Sequence, residues 1–284
     1  FMMSQQDINY NLSHYGKKAD INCIEGVMGL FDGANKDQGS TAALAKKLKT
    51  PVILVVDAKA VAYSVAPLIH GFINFDTDVK IIGVIFNRVG SERHYRMLKE
   101  ACDDINVNCF GYLANLKNIE IPSRHLGLNI QEIEKFDRII DQISHELEKT
   151  VNWNTILKVS KKVEPILTST HKTVVSKNIT FAIAKDEAFN FIYPHNINAM
   201  KQLGEVIFFS PIHDTEIPKC NFIFLPGGYP ETHLKELSSN TSMLKSIKTF
   251  AENNGQIYAE CGGMMYLGKA IISEENKPYI MVGY

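Results

Sequence analysis

Cys261 closes an apolar run and is followed by two glycines, in Ile257-Tyr258-Ala259-Glu260-Cys261-Gly262-Gly263-Met264-Met265-Tyr266-Leu267. A strand that stops in a sharp turn and restarts as a helix lifts the turn residue past the end of the sheet, where a nucleophile can meet its substrate. The start of the helix also turns its positive end toward the sulfur, which suits the thiolate that attacks carbon. Upstream, Leu225-Pro226-Gly227-Gly228-Tyr229-Pro230-Glu231 ends another apolar run. The backbone N–H groups of Gly228 and Gly262 are then candidates for an oxyanion hole. Alone, Cys-Gly-Gly also reads as a buried cysteine before a turn, and Pro-Gly-Gly as a common turn. Together they point to acyl transfer by a cysteine. Such a cysteine needs a base. His195, His213 and His233 all precede Cys261, in helix-start or loop contexts that make poor bases.

A second constellation lies near the N-terminus, in Glu25-Gly26-Val27-Met28-Gly29-Leu30-Phe31-Asp32-Gly33. Two carboxylates around a glycine-containing loop suit Mg²⁺, which keeps waters and takes substrate phosphates to complete its shell. Spacing alone reads equally well as an acidic strand end before an Asp-Gly turn.

The elements that must position these residues alternate. Strands are expected at Asp20–Gly26, Val52–Asp57, Val79–Asn87 and Asn108–Leu113, with helices at Thr41–Leu48, Val61–Phe72 and Arg93–Asp104 between them. The near-continuous β-branched runs belong to parallel strands buried on both faces. Lys135–Val151 carries Ile139, Ile140, Ile143 and Leu147 at helical spacing, and a short helix follows at Trp153–Val159. Residues 161–178 are polar and aperiodic and read as a linker. The alternation then restarts: strand Ile179–Ala184, helix Tyr193–Leu203 stopped by Gly204, strands Glu205–Ser210 and Phe222–Leu225, and helix Leu244–Asn253. The expected fold class is α/β, with two domains (1–160 and 179–284), each a mostly parallel sheet with helices on both faces. Ligands of such sheets sit at strand carboxyl ends, where Glu25, Asp57 and Asn87 fall.

Bulk composition narrows the function classes. Of 284 residues 45% are hydrophobic, enough for real cores, and 30 basic against 31 acidic residues leave a net charge of −1. That balance gives no electrostatic footprint for nucleic acid or an anionic membrane. No apolar run approaches the ~20 residues of a membrane-spanning helix. Five scattered cysteines do not suggest a disulfide framework, and Cys102 and Cys109 lack zinc-site spacing. A soluble, cytoplasmic protein is expected.

The segments Leu225–Glu231 and Ala259–Gly263, supported by Ala184–Tyr193 and Phe208–Pro211, resemble a class I, triad-type glutamine amidotransferase domain. Within that class they are similar to the cobyrinic acid a,c-diamide synthase family. Glu25–Gly33, Gly39–Ala42, Val55–Lys59, Gly83–Tyr95 and Ile121–Leu128 resemble the P-loop, dethiobiotin-synthetase-like domain of the same family. The resemblance implies a ligase: Cys261 releases ammonia from L-glutamine, and ATP activates the a and c acetates of cobyrinic acid as acyl phosphates. It makes Glu25 a Mg²⁺ ligand and places Asp32 in the catalytic loop. Asn87 falls where related domains recognise adenine, or is a strand-end cap. Arg88, placed with Asn87 at the nucleotide, Arg93 and Arg124 are candidates for clamping carboxylate or phosphate. Lys59 and His125 are candidates for the substrate. The family's Gly-Lys-Thr loop does not occur in this sequence, and no histidine-bearing strand follows Cys261. Both are expected to lie beyond the two ends, and the 284-residue chain by itself is expected to be inactive. The alternatives are the same chemistry on hydrogenobyrinic acid or nickel-sirohydrochlorin, or a non-catalytic scaffold.

Overall fold

The computed structural model describes residues 3–17, 19–116, 119, 123–124, 127–128, 133–160 and 179–284. The chain falls into two compact units, Phe1–Ser169 and Thr170–Tyr284. The 161–178 linker expectation lies outside the described residues.

The first unit opens with α1 (Gln5–Gly16), which is started by a reciprocal capping box between Ser4 and Asp7. Next come α2 (Thr41–Leu48), β1 (Val52–Asp57), α3 (Val65–Phe75), β2 (Ile81–Val89), α4 (Glu92–Asp104) and β3 (Cys109–Ala114). Two short strands, β4 (Ser123–Arg124) and β5 (Gly127–Leu128), pair antiparallel before α5 (Ile133–Thr150) and α6 (Trp153–Val159). The strands β1-β2-β3 form a parallel sheet in sequence order. Its core joins Leu54 and Val56 of β1 and Val84 and Phe86 of β2 to Val65, Ala66 and Ile69 of α3 and Leu98, Ala101 and Cys102 of α4. Helix α3 starts at Val65, four residues later than expected, so Pro67 falls in its first turn, where no amide donor is required.

One expected strand does not form. Residues 19–29 are exposed throughout and have no strand structure. A strand needs a neighbour for its amides and cover for its side chains. Among the described residues the sheet ends at β1, and nothing pairs with 20–26.

The second unit runs β6 (Ile179–Ala184), α7 (Pro194–Leu203), β7 (Gly204–Phe209), β8 (Phe222–Leu225), a 3-10 turn (Pro230–Thr232), α8 (Leu234–Ser239), α9 (Thr241–Glu252), β9 (Gln256–Ala259) and α10 (Gly262–Leu267), and closes with a hairpin of β10 (Ala270–Ile272) and β11 (Pro278–Ile280). Its sheet is parallel, in the order β7-β6-β8-β9. The period of two along a strand sorts the core into faces. Ala182, Ala184, Ile223 and Leu225 face Leu237, Met243, Leu244, Ile247 and Tyr266 of α8, α9 and α10. Phe181, Ile183 and Phe224 pack with Ile197 of α7. Both faces are therefore covered by helices, and each buried Ile, Leu or Met side chain contributes roughly 1.5–3 kcal/mol.

Candidate functional site

Cys261 sits between β9 and α10 with φ 46° and ψ −111°, a backbone conformation that costs a non-glycine residue energy. The turn is fixed by its neighbours. Glu260 N–H donates to Leu225 O at 3.0 Å, Gly263 N–H to Glu260 O at 2.8 Å, and the amides of Met264 and Met265 to Cys261 O at 3.0 and 3.1 Å. Cys261 is exposed while Gly262 and Gly263 are buried beneath it.

The Pro-Gly-Gly turn after β8 lies directly against this elbow. A Cβ on Gly227 would stand 3.5 Å from the Cβ of Cys261, and one on Gly262 would stand 3.2 Å from the Gly228 nitrogen. A Cβ on Gly263 would come 2.1 Å from Leu225 O, so only glycine lets α10 start this close to β8. The amides of Gly228 and Gly262 donate to no backbone carbonyl among the described residues. Cys261, Gly228 and Gly262 are thus brought together.

The loop after β6 forms a further side of this region. Phe191 N–H donates to Gly227 O at 3.0 Å, and Tyr229 N–H to Ala188 O at 2.8 Å. The Phe191 ring meets Tyr229 edge-on, with centroids 5.2 Å apart. Asp186 braces the loop by accepting from the amides of Ala188, Phe189 and Ile212 (2.9, 3.1 and 2.9 Å) and from Ser210 Oγ at 2.8 Å. The roles of Asp186 and Phe191 were missed from sequence. The signal was an acid closing an apolar strand, followed by aromatic residues at alternate positions. None of the three histidines is placed with Cys261 by a described contact: His213 Nε2 lies 3.0 Å from Glu187 Oε2, and His233 stands at the N-cap position of α8 without a side-chain cap bond. Glu187 is held below the usual carboxylate range, first by a backbone amide of its own and then by His213.

In the first unit, the carboxyl ends of β1 and β2 are tied by register, Asp57 pairing with Asn87. Ala58 N–H donates to Asn87 O at 2.9 Å. Arg88 has a left-handed backbone (φ 59°), and its amide donates to Asn87 Oδ1 at 2.9 Å. Its guanidinium forms a bidentate pair with Asp57, Nε donating to Oδ1 at 2.7 Å and Nη2 to Oδ2. That pair, followed by the Lys59 amide, holds Asp57 below the usual carboxylate range. A phosphate at Arg88 must therefore compete with Asp57, a partner that sequence reading did not assign. Lys59 and Arg93 are exposed. His125 and the side chain of Arg124 lie outside the described residues.

Glu25 and Asp32 are both exposed, and no described contact joins them. A Cβ on Gly26 would meet Thr41 Oγ1 at 2.6 Å, and one on Gly29 would meet Asp32 Oδ2 at 2.3 Å, so the loop folds back on itself and onto the start of α2. Among the described residues no cluster of three His, Cys, Asp or Glu side chains could cage a metal. The donors that remain, open carboxylate oxygens, match a hard cation that takes one or two carboxylates and keeps its waters. No helix among the described residues is long and apolar enough to cross a membrane.

Residues 3–123 match the model of an AAA domain, and residues 180–284 that of a CobB/CobQ-like glutamine amidotransferase domain. The cobyrinate a,c-diamide synthase of Caldanaerobacter subterraneus is 40% identical over 100% of this chain and 64% of its own length. Those of Listeria innocua and Salmonella typhimurium are 43% and 40% identical, each over 95% of this chain and 61% of their own length. The chain spans less than two thirds of these relatives. Through both of its domains, it is similar to the cobyrinate a,c-diamide synthases.

Proposed function

We propose that the chain serves a glutamine- and ATP-dependent ligase that amidates the a and c acetate carboxylates of cobyrinic acid, in cobalamin biosynthesis. The observation that carries this reading is the strained Cys261 elbow packed against Gly227 and Gly228.

In the second unit, Cys261 Sγ attacks the side-chain amide carbon of L-glutamine. The N–H groups of Gly228 and Gly262 receive the oxyanion, and collapse of the intermediate expels ammonia and leaves a γ-glutamyl thioester. In the first unit, a substrate carboxylate takes the γ-phosphoryl group of ATP, and ammonia then displaces phosphate to give the amide. Activation is needed because hydroxide leaves a carboxyl carbon badly and phosphate leaves it well. The Asn87 side chain serves adenine, through an amide that both donates and accepts. Lys59, Arg93 and Arg124 serve substrate carboxylates or phosphates, and His125 the macrocycle. Glu25 would hold Mg²⁺, with Asp32 beside the phosphates. Magnesium, when bound, offsets charge on the transferred phosphoryl group.

The test is labelling by a diazoketone analogue of glutamine, followed by peptide mapping. A single adduct on Cys261, prevented by L-glutamine and lost in Cys261→Ser, is the expected result. No adduct at Cys261 in the full-length protein would favour a non-catalytic scaffold. Incubating the full-length protein with ATP, Mg²⁺, glutamine and each candidate macrocycle, with the mass of the product as readout, tests the substrate.

A further inference from the structure

The loops that follow β1 and β2 are held by a histidine that the chemistry above does not use. His94 lies in the first turn of α4, and its own amide donates to the N-cap Ser91 Oγ at 3.2 Å. Gly90 N–H donates to His94 Nδ1 at 3.2 Å, and His94 Nε2 lies 2.5 Å from Val61 O. An amide can only donate, so Nδ1 must be the bare nitrogen. The ring proton is then on Nε2, where it donates to the Val61 carbonyl. One neutral imidazole thus joins the loop after β1 (Ala58–Ser64) to the loop after β2, at a residue three positions past Asn87. Beside it, Ala58 N–H donates to Asn87 O and the exposed Asp57–Arg88 pair joins the ends of β1 and β2.

We propose that His94 is a positioning residue: as the Nε2–H tautomer it sets the spacing of the loops that follow β1 and β2, and so the aim of Asn87, near the end of β2, toward the nucleotide. The nucleotide half of this statement rests on the function proposed above, and the loop half does not. Asn87 is the third residue from the end of β2 and precedes a left-handed Arg88, so its orientation depends on where Gly90 is anchored. Val61 lies 33 residues before His94 in sequence, so the tie is tertiary and is more than a local helix cap.

The test uses three variants, two readouts on them and the ¹⁵N shifts of the wild-type ring. His94→Leu removes both ring bonds. His94→Asn keeps an acceptor within reach of Gly90 N–H and loses Val61. His94→Gln extends a donor toward Val61 O and loses the Gly90 acceptor. Amide hydrogen exchange on the unliganded chain is the first readout. His94→Leu should speed exchange on the order of tenfold both at Gly90 and at Val61, Val65 and Ala66. His94→Asn should spare Gly90 alone, and His94→Gln should spare the Val61 loop alone. ¹⁵N shifts of the wild-type ring should show a bare Nδ1 and a protonated Nε2. Unchanged exchange at Val61, Val65 and Ala66 in His94→Leu, or a ring protonated on Nδ1, overturns the proposal. The second readout is the dissociation constant for Mg-ATP, which should rise about tenfold in His94→Leu and partly recover in the two polar variants. This readout is taken on the full-length protein, and if full-length wild type binds no Mg-ATP, the function reading fails while exchange still judges the loop tie. If Mg-ATP binds equally to wild type and His94→Leu, the positioning role fails.

Discussion

Gly228→Ala is the sharpest physical test of how the second unit is built. A Cβ there would stand 2.0 Å from Ala188 O and 2.9 Å from Ala188 C and Phe189 Cα, all backbone atoms, where ordinary contact begins at 3.4 Å. The loop after β6 or the turn after β8 must therefore move by more than an ångström. Ala188 O also accepts the Tyr229 amide at 2.8 Å, so the same shift weakens that bond. Overpacking against rigid neighbours costs about 1–3 kcal/mol and a lost hydrogen bond about 1 kcal/mol, so the variant should lose about 2–4 kcal/mol. For a unit of this size each kcal/mol is worth roughly 4–8 °C, and the melting transition should fall by on the order of 10 °C or more. Gly71→Ala is the control: Gly71 lies inside α3, and a Cβ there meets nothing within 4 Å. It should stabilise the first unit by about 0.5–1 kcal/mol. Urea denaturation read by circular dichroism measures both. A Gly228→Ala protein within about 0.3 kcal/mol of wild type would refute the claim that glycine is required where the two turns meet.

Three further outcomes follow from the same geometry. Cys261→Gly should abolish labelling by the diazoketone yet raise stability by about 1 kcal/mol, because glycine relieves the backbone strain at φ 46°; an unfolding midpoint below wild type counts against stored strain. Asp57 is held below its usual range by Arg88, so its share of stability is present above about pH 4, the unfolded value, and is lost as pH falls through the folded one. The two side chains are 47% and 50% exposed, so Asp57→Asn should cost less than about 1 kcal/mol at pH 7, with a loss that shrinks in high salt and vanishes in acid. A hydrogen bond from Cys102, helped by Tyr95 at 3.6 Å, brings the Cys109 thiol down to about 7, while the same contact and burial push Cys102 up. Iodoacetamide modification of Cys109, followed by peptide mapping, should therefore rise through neutral pH while Cys102 stays unmodified. Equal alkaline midpoints for both would contradict this.

Much of the fold was legible because buried strands read as apolar runs. Ile179–Ala184 is such a run and is covered on both faces, Val52–Asp57 is another although Val55 stays exposed, so the expected burial of both faces fails there, and Gly204 ends α7 where expected. The elbow was legible for a related reason: backbone packed on backbone admits only glycine, and glycine pairs are visible in a sequence. Asp20–Gly26 looked like a strand because apolar content cannot reveal whether a neighbouring strand is present. Helix α1 escaped notice because its residues are mostly polar, although Ser4 and Asp7 carried its start signal. The contacts of Asp57 with Arg88 and of His94 with Val61 span 31 and 33 residues. They depend on sheet register, which local patterns do not encode.

Strand β1 has a consequence for how the protein behaves in bulk. Among the described residues it lies at the rim of its sheet, and Val55 on it is 70% exposed. A rim strand offers its amides and carbonyls to any extended segment that comes near, including one from another molecule. Purified chain held at high concentration should therefore form aggregates that grow with concentration and begin with intermolecular strand addition at residues 52–57. A lysine at position 55 would place a charge on that rim and slow the process without touching either proposed site.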